Sequence, residues 1–203
     1  MGRVDLNQKL SLTQTARNLS QPILNPVVKV LAACEVHPNF VTILCFLGFI
    51  GSSYFIAKGN FLVAGILIAV FGPLDAIDGA LARASKKVTP FGAFLDSTLD
   101  RYGEIFLFLG LTYFFSSTNN FWGVLLSFLA ITGSLMVSYT RARAEGVGFE
   151  CKIGLLTRFE RLLLITIGLI FQVMLPVLAF ISVFTHFTAL QRMYYVYKQY
   201  KGR

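Results

Sequence analysis

The apolar run NFLVAGILIAVFGPL (60–74) leads without a break into DAIDGALARASKKVTPFGAFLDSTLD (75–100). The first part is oily enough to enter a bilayer. The second sets four carboxylates, Asp75, Asp78, Asp96 and Asp100, directly beside it. Ionisable groups at membrane depth are costly and mark function by default. The fold and the chemistry are therefore read from the same stretch.

Working outward, the chain has 203 residues, of which 55% are hydrophobic and only 14% charged. A soluble domain would carry about a quarter charged residues. Mean hydropathy is +0.66. Apolar stretches recur near 40–57, 61–74, 105–116, 121–139, 162–174 and 177–187. A helix needs about 20 apolar residues to cross the hydrocarbon layer, and small or polar flanks extend the shorter runs to that length. The expected fold is an all-α integral membrane protein, a single domain over 1–203 with a bundle of six transmembrane helices over 37–203. Residues 1–36 form an interfacial segment ahead of the bundle. Within it, 11–33 mix polar and apolar positions at helical spacing, as an amphipathic helix lying on the inner leaflet would. Nothing resembles a cleaved leader.

Charge supports this layout. With both termini inside, the outer connections fall near 58–60, 116–120 and 174–176. Of the 18 Lys and Arg residues only Lys58 lies in them, which is the positive-inside pattern. The net charge of +8 thus reflects topology and anionic lipid, not nucleic acid. The expected location is the cell inner membrane, with termini and active site cytoplasmic. Cys34, Cys45 and Cys151 are odd in number and scattered, which fits neither a disulfide framework nor a metal cluster.

At about 100° per residue, Asp75 and Asp78 share one helical face with Gly79 and Ala82. Asp96 and Asp100, four apart, share another, with Gly92 one turn before them. A tight inner connection, ASKKVTP, makes the two helices antiparallel, so the acid pairs can face each other. Such carboxylates must take up protons, pair with Arg83, Lys86, Lys87 and Arg101, or hold a hard cation through oxygen. Two ions about 4 Å apart would serve displacement at phosphorus. The small residues beside the acids leave room for a close approach, which ion pairing alone does not require.

Asp75-x2-Asp78-Gly79-x2-Ala82-Arg83-x8-Gly92-x3-Asp96-x3-Asp100 resembles the full motif of the CDP-alcohol phosphotransferase family. The resemblance implies a six-helix membrane bundle, a homodimer, and transfer of a phosphatidyl-type group from a CDP-linked lipid to an alcohol with release of CMP. It implies two divalent cations, Mg²⁺ or Mn²⁺, on Asp75, Asp78, Asp96 and Asp100. Asp96 and Asp100 are the implied catalytic pair, Asp100 as general base. Gly79, Ala82, Arg83 and Gly92 would bind the nucleotide, together with Asn39 and Thr42 of Pro38-Asn39-x2-Thr42.

The acceptor is read from SYTRARAEG (138–146) and TRFERLLL (157–164). Arg141, Arg143, Arg158 and Arg161 all belong to the inner side, and the guanidinium fork suits phosphate. This points to a phosphorylated alcohol. Those segments, with GAFLDSTLDRYGE, resemble the branch of the family that uses inositol 1-phosphate. The glycerol 3-phosphate branch more often has Asp-Pro and a later lysine where this chain has Asp96-Ser97 and Asp100-Arg101. A glycerol-phosphate acceptor is the alternative. A divalent-cation transporter is the non-enzymatic one, disfavoured because the acids cluster at one side of the membrane.

Overall fold

The computed structural model describes residues 25–151 and 153–202, except for the side chains of Asp75 and Ala76. Among them there is no strand. A first helix, α1, occupies 25–33. Six longer elements follow: α2 Pro38–Ala57, α3 Phe61–Ala84, α4 Pro90–Ser117, α5 Phe121–Gly146, α6 Arg158–Ile170 and α7 Met174–Lys201. The expected amphipathic helix over 11–33 lies mostly outside the described residues. Its described end turns Leu31 and Ala32 onto Val41, Cys45 and Leu81 of α2 and α3.

Each start is written locally. His37 caps α2, accepting through Nδ1 from the Asn39 N–H at 3.3 Å, and Pro38 fills the first position, where its missing N–H costs nothing. Thr89 caps α4 by accepting from Gly92 N–H at 3.0 Å, again with proline next. Asn120 caps α5 through Gly123 N–H at 2.9 Å. Thr157 N–H donates to the Glu160 carboxylate at 2.6 Å, half of a capping box that opens α6. Pro73 lies inside α3, yet the helix runs on to Ala84.

Three short turns close the end opposite the acids: residues 58–60, 118–120 and 171–173. Their middle residues Gly59, Asn119 and Gln172 all have positive φ, at 77°, 54° and 56°. In each, the next N–H reaches back five residues: Asn60 to Phe55 O at 2.9 Å, Asn120 to Phe115 O at 2.8 Å, Val173 to Gly168 O at 2.9 Å. This is the Schellman end, which satisfies carbonyls that a membrane helix cannot leave bare. The last of these turns differs from the expected connection at 174–176. Met174 already begins α7, because a proline such as Pro176 is tolerated in the first helical turn.

The core draws on every long helix: Phe49 and Ile56, Ala64 and Ile68, Leu107, Phe108 and Leu111, Ala130, Ile165 and Leu169, Leu178 and Ile181. α2 packs on α3 and α4, α5 on α7 and α4, and α6 chiefly on α3. Small residues set these distances, as expected where lipid gives no hydrophobic drive between helices. A Cβ on Gly110 would stand 2.6 Å from the Ser53 carbonyl of α2, and one on Gly133 would collide with Thr185 of α7. Outward faces carry Leu47, Ile66, Val70, Leu109, Phe128, Leu163 and Val183, all exposed. Four helices, α2, α3, α5 and α7, are long and apolar enough to cross a membrane.

α6 has only 13 residues, about 20 Å at 1.5 Å each. The segment before it explains this. Residues 147–151 and 153–157 double back along α7, from the Glu150 carbonyl, which accepts from Gln199 at 2.7 Å, to Leu155 N–H, which donates to Thr188 at 3.4 Å. Arg192 of α7 fastens the strap, donating to Ile153 O at 2.8 Å and also to Val137 O of α5. Cys151 sits within the strap, fully buried, and burial pushes its thiol pKa up.

Candidate active site

α3 and α4 are joined by the short segment 85–89 and run antiparallel. Their facing sides, with the first turns of α2, enclose a cavity of about 330 Å³. It is lined by Asp78, Gly79, Ala82 and Arg83 of α3, by Gly92 and Asp96 of α4, and by Asn39 and Thr42 of α2. The expected nucleotide-binding set is thus assembled around one space, with two of the four aspartates. Three consecutive helices supply it.

Asp78 is 5% exposed. The Thr42 hydroxyl donates to its Oδ2 at 2.6 Å, and the Gly79 N–H reaches its Oδ1. Charge-assisted bonds of this kind fix a carboxylate's orientation. Thr42 therefore serves the acid directly as well as lining the cavity.

The glycines divide by cause. A Cβ on Gly92 would meet Thr89 Oγ1 at 3.0 Å and Asn39 Oδ1 at 3.2 Å, so close packing of α2 on α4 favours glycine there. A Cβ on Gly79 would meet only Arg83 Nη1, at an ordinary 3.6 Å. The protein's own packing does not call for glycine at 79, and the space it leaves opens into the cavity.

Asp100 stands apart from this space. It lines a narrow crevice with Thr42, Phe46, Phe49, Leu99 and Arg158, so Thr42 is a wall common to both. The Arg158 guanidinium lies 2.8 Å from Asp100 Oδ1, and Arg101 lies 3.3 Å from Oδ2. Arg158 also rests over the Phe49 ring, 5.7 Å from its centroid.

The four arginines expected at an acceptor phosphate separate in the structure. Arg158 lies beside the acids. Arg141 and Arg143 are exposed in the last turns of α5, and Arg141 pairs with Glu145 at 2.9 Å. Arg161 is 1% exposed. Its Nε and Nη2 donate to the two Glu104 oxygens at 2.6 and 2.8 Å, and its Nη1 to Leu156 O at 3.1 Å. A guanidinium so fully engaged inside the bundle offers no face to a soluble phosphate. Sequence reasoning left Glu104 aside. It follows Asp100 by four residues and Arg161 follows Arg158 by three, so each pair shares a helix face, and this was the available signal.

All-oxygen donors from two facing helices suit a hard divalent cation, and Asp78 and Asp96 meet that description. Among the described residues no group of three or more His, Cys, Asp or Glu is gathered closely enough to hold an ion. The Asp75 side chain, expected in that group, lies outside the described residues.

Comparison with known proteins identifies similar chains. A family model described as CDP-alcohol phosphatidyltransferase matches residues 35–191. The archaetidylinositol phosphate synthase of Methanothermobacter thermautotrophicus is 32% identical over 197 residues, covering 94% of this chain and 98% of that protein. The enzyme of the same name from Pyrococcus horikoshii is 38% identical over 184 residues, covering 90% and 95%. The phosphatidylinositol phosphate synthase of Mycobacterium tuberculosis, solved with CDP-DAG bound, superposes with a TM-score of 0.80 at 26% identity, covering 87% and 94%. A second structure of that enzyme holds manganese and citrate.

Proposed function

The chain belongs to the CDP-alcohol phosphatidyltransferase family, and we propose that it transfers a phosphatidyl-type group from a CDP-linked lipid to inositol 1-phosphate, releasing CMP. One observation carries the reading: a single cavity, near one end of the bundle, is walled by Asp78, Asp96 and all six residues assigned to the nucleotide. Relatives that match nearly end to end act in inositol phosphate lipid synthesis. The lipid tails stay among the exposed apolar helix faces, while nucleotide and acceptor enter from water at the cytoplasmic side of the inner membrane. In this reading all six long helices cross, both termini are cytoplasmic, and the protein works as a homodimer.

Gly79 and Ala82 admit the nucleotide against α3, and Arg83 places positive charge beside its diphosphate. Asn39 and Thr42 close the cavity from α2, with Thr42 holding Asp78 in orientation. Asp75, Asp78, Asp96 and Asp100 would hold two divalent cations, Mg²⁺ or Mn²⁺. When bound, these neutralise charge on the diphosphate and the departing CMP. Transfer at phosphorus depends mainly on such positioning and electrostatics. Arg158 receives the acceptor's phosphate, with Arg141 and Arg143 at the same end of the bundle. The acceptor hydroxyl then lies near Asp100, which takes its proton as the new P–O bond forms.

The test is CMP release from the CDP-lipid with inositol 1-phosphate, glycerol 3-phosphate, inositol and serine offered in parallel. Inositol 1-phosphate is expected to be preferred, and a chelator to stop turnover. Equal rates with inositol or serine would overturn the phosphate-bearing acceptor. Metal-independent release would overturn the site assignment. Asp96→Asn and Asp100→Asn are each expected to abolish CMP release while the protein stays folded.

A further inference from the structure

α4 and α6 both start at the cavity end of the bundle and run the same way. Asp100 and Glu104 are one turn apart on α4, and Arg158 and Arg161 are one turn apart on α6. Residues three or four apart share a helix face. The result is a ladder of two ion pairs in register. The upper rung, Asp100–Arg158, is partly exposed, with side-chain exposures of 12% and 18%. The lower rung, Glu104–Arg161, is sealed at 3% and 1%.

The lower rung is the more tightly specified. Arg161 meets both Glu104 oxygens and holds Leu156 O at the end of the strap. A bidentate fork fixes angle as well as distance. α6 packs chiefly on α3 and reaches α4 through these long side chains. Phe49, beneath Arg158, is itself seated by the absence of a side chain at Gly103, where a Cβ would stand 2.9 Å from the ring.

We propose that Glu104 and Arg161 are positioning residues for acceptor binding: their buried pair fixes the start of α6 so that Arg158 stands beside Asp100. Arg161 governs acceptor affinity through Arg158 and touches no substrate. The proposal deepens the transferase reading and rests on it for its kinetic arm.

The conservative variants Arg161→Lys and Glu104→Asp keep both charges buried and lose the fork geometry. Each is expected to raise the acceptor KM about tenfold, within the usual range for residues coupled in one network, and to leave the CDP-lipid KM unchanged. In an Arg158→Ala background, Arg161→Lys is expected to add nothing to the acceptor KM. Additive effects in that cycle, or equal changes in both KM values, would overturn the proposal. A second arm needs no turnover. Cysteines placed at 100 and 158 are linked with a short bifunctional thiosulfonate, and the linked fragments are measured by mass. Linking is expected to be efficient with the lower rung intact and to fall severalfold with Arg161→Lys. Unchanged linking would overturn the positioning role. Failure of the unmodified protein to release CMP with any phosphorylated alcohol would defeat the transferase reading and leave this second arm decisive for the ladder.

Discussion

At the scale of single residues, the site works by holding carboxylates in place. Thr42 donates to Asp78 at 2.6 Å in a buried setting. Hydrogen bonds to charged groups are among the stronger ones. Thr42→Val keeps the volume and removes the donor, and CMP release is expected to fall about tenfold or more with thermal stability nearly unchanged. Single-residue burial also governs the thiols. Cys34 is exposed, whereas Cys151 is buried and its pKa is raised by that burial. A raised thiol pKa means fewer thiolates at any given pH, and the thiolate is the reactive form. Maleimide at neutral pH is therefore expected to label Cys34 in the folded protein and to spare Cys151. Labelling of Cys151 should rise only at alkaline pH, because its raised pKa delays formation of the thiolate. Mass mapping after timed quenching checks the order.

At the scale of elements, glycines perform two different tasks that the sequence writes with the same letter. Gly110 lets α4 approach the Ser53 carbonyl of α2, and Gly79 leaves space that no protein atom fills. Gly110→Leu is expected to pry α2 from α4 and destabilise the bundle by about 1–3 kcal/mol, the usual range for overpacking, seen as a lower Tm in detergent. Gly79→Leu is expected to leave Tm close to its original value and to weaken CDP-lipid binding, seen as a raised KM for that substrate alone. The strap at 147–157 belongs to this scale too. It lets α6 be short, because the chain returns part of the way beside α7 before the helix begins.

At the scale of the whole molecule, the acids, the arginine ladder and the strap all lie toward one end, and three short turns close the other. With six crossings, a membrane-impermeant thiol reagent applied from outside is expected to label a single cysteine placed at 119, in a background lacking native thiols. A cysteine at 148 should react only after the membrane is opened. Labelling of both positions from one side would require an even number of crossings between them. The layout follows from the substrates: the lipid chains need an apolar surround, and the nucleotide needs water within a few turns of it.

The sequence by itself determined the helical membrane class, the starts of α2, α4 and α6, and the residues around the main cavity. These are local matters. Apolar run length, caps and prolines act within a few residues, and the aspartate spacing fixes a helix face. It did not determine which arginines face a substrate. Arg158 and Arg161 are three residues apart on one helix and equal in charge, and only the position of α4, 57 residues away in sequence at Glu104, sends one into the core and leaves the other beside Asp100. The crevice around Asp100, the common wall at Thr42 and the folded-back strap are likewise tertiary decisions. Each depends on the distance between helices that meet only once the bundle closes, and local spacing carries no information about that distance.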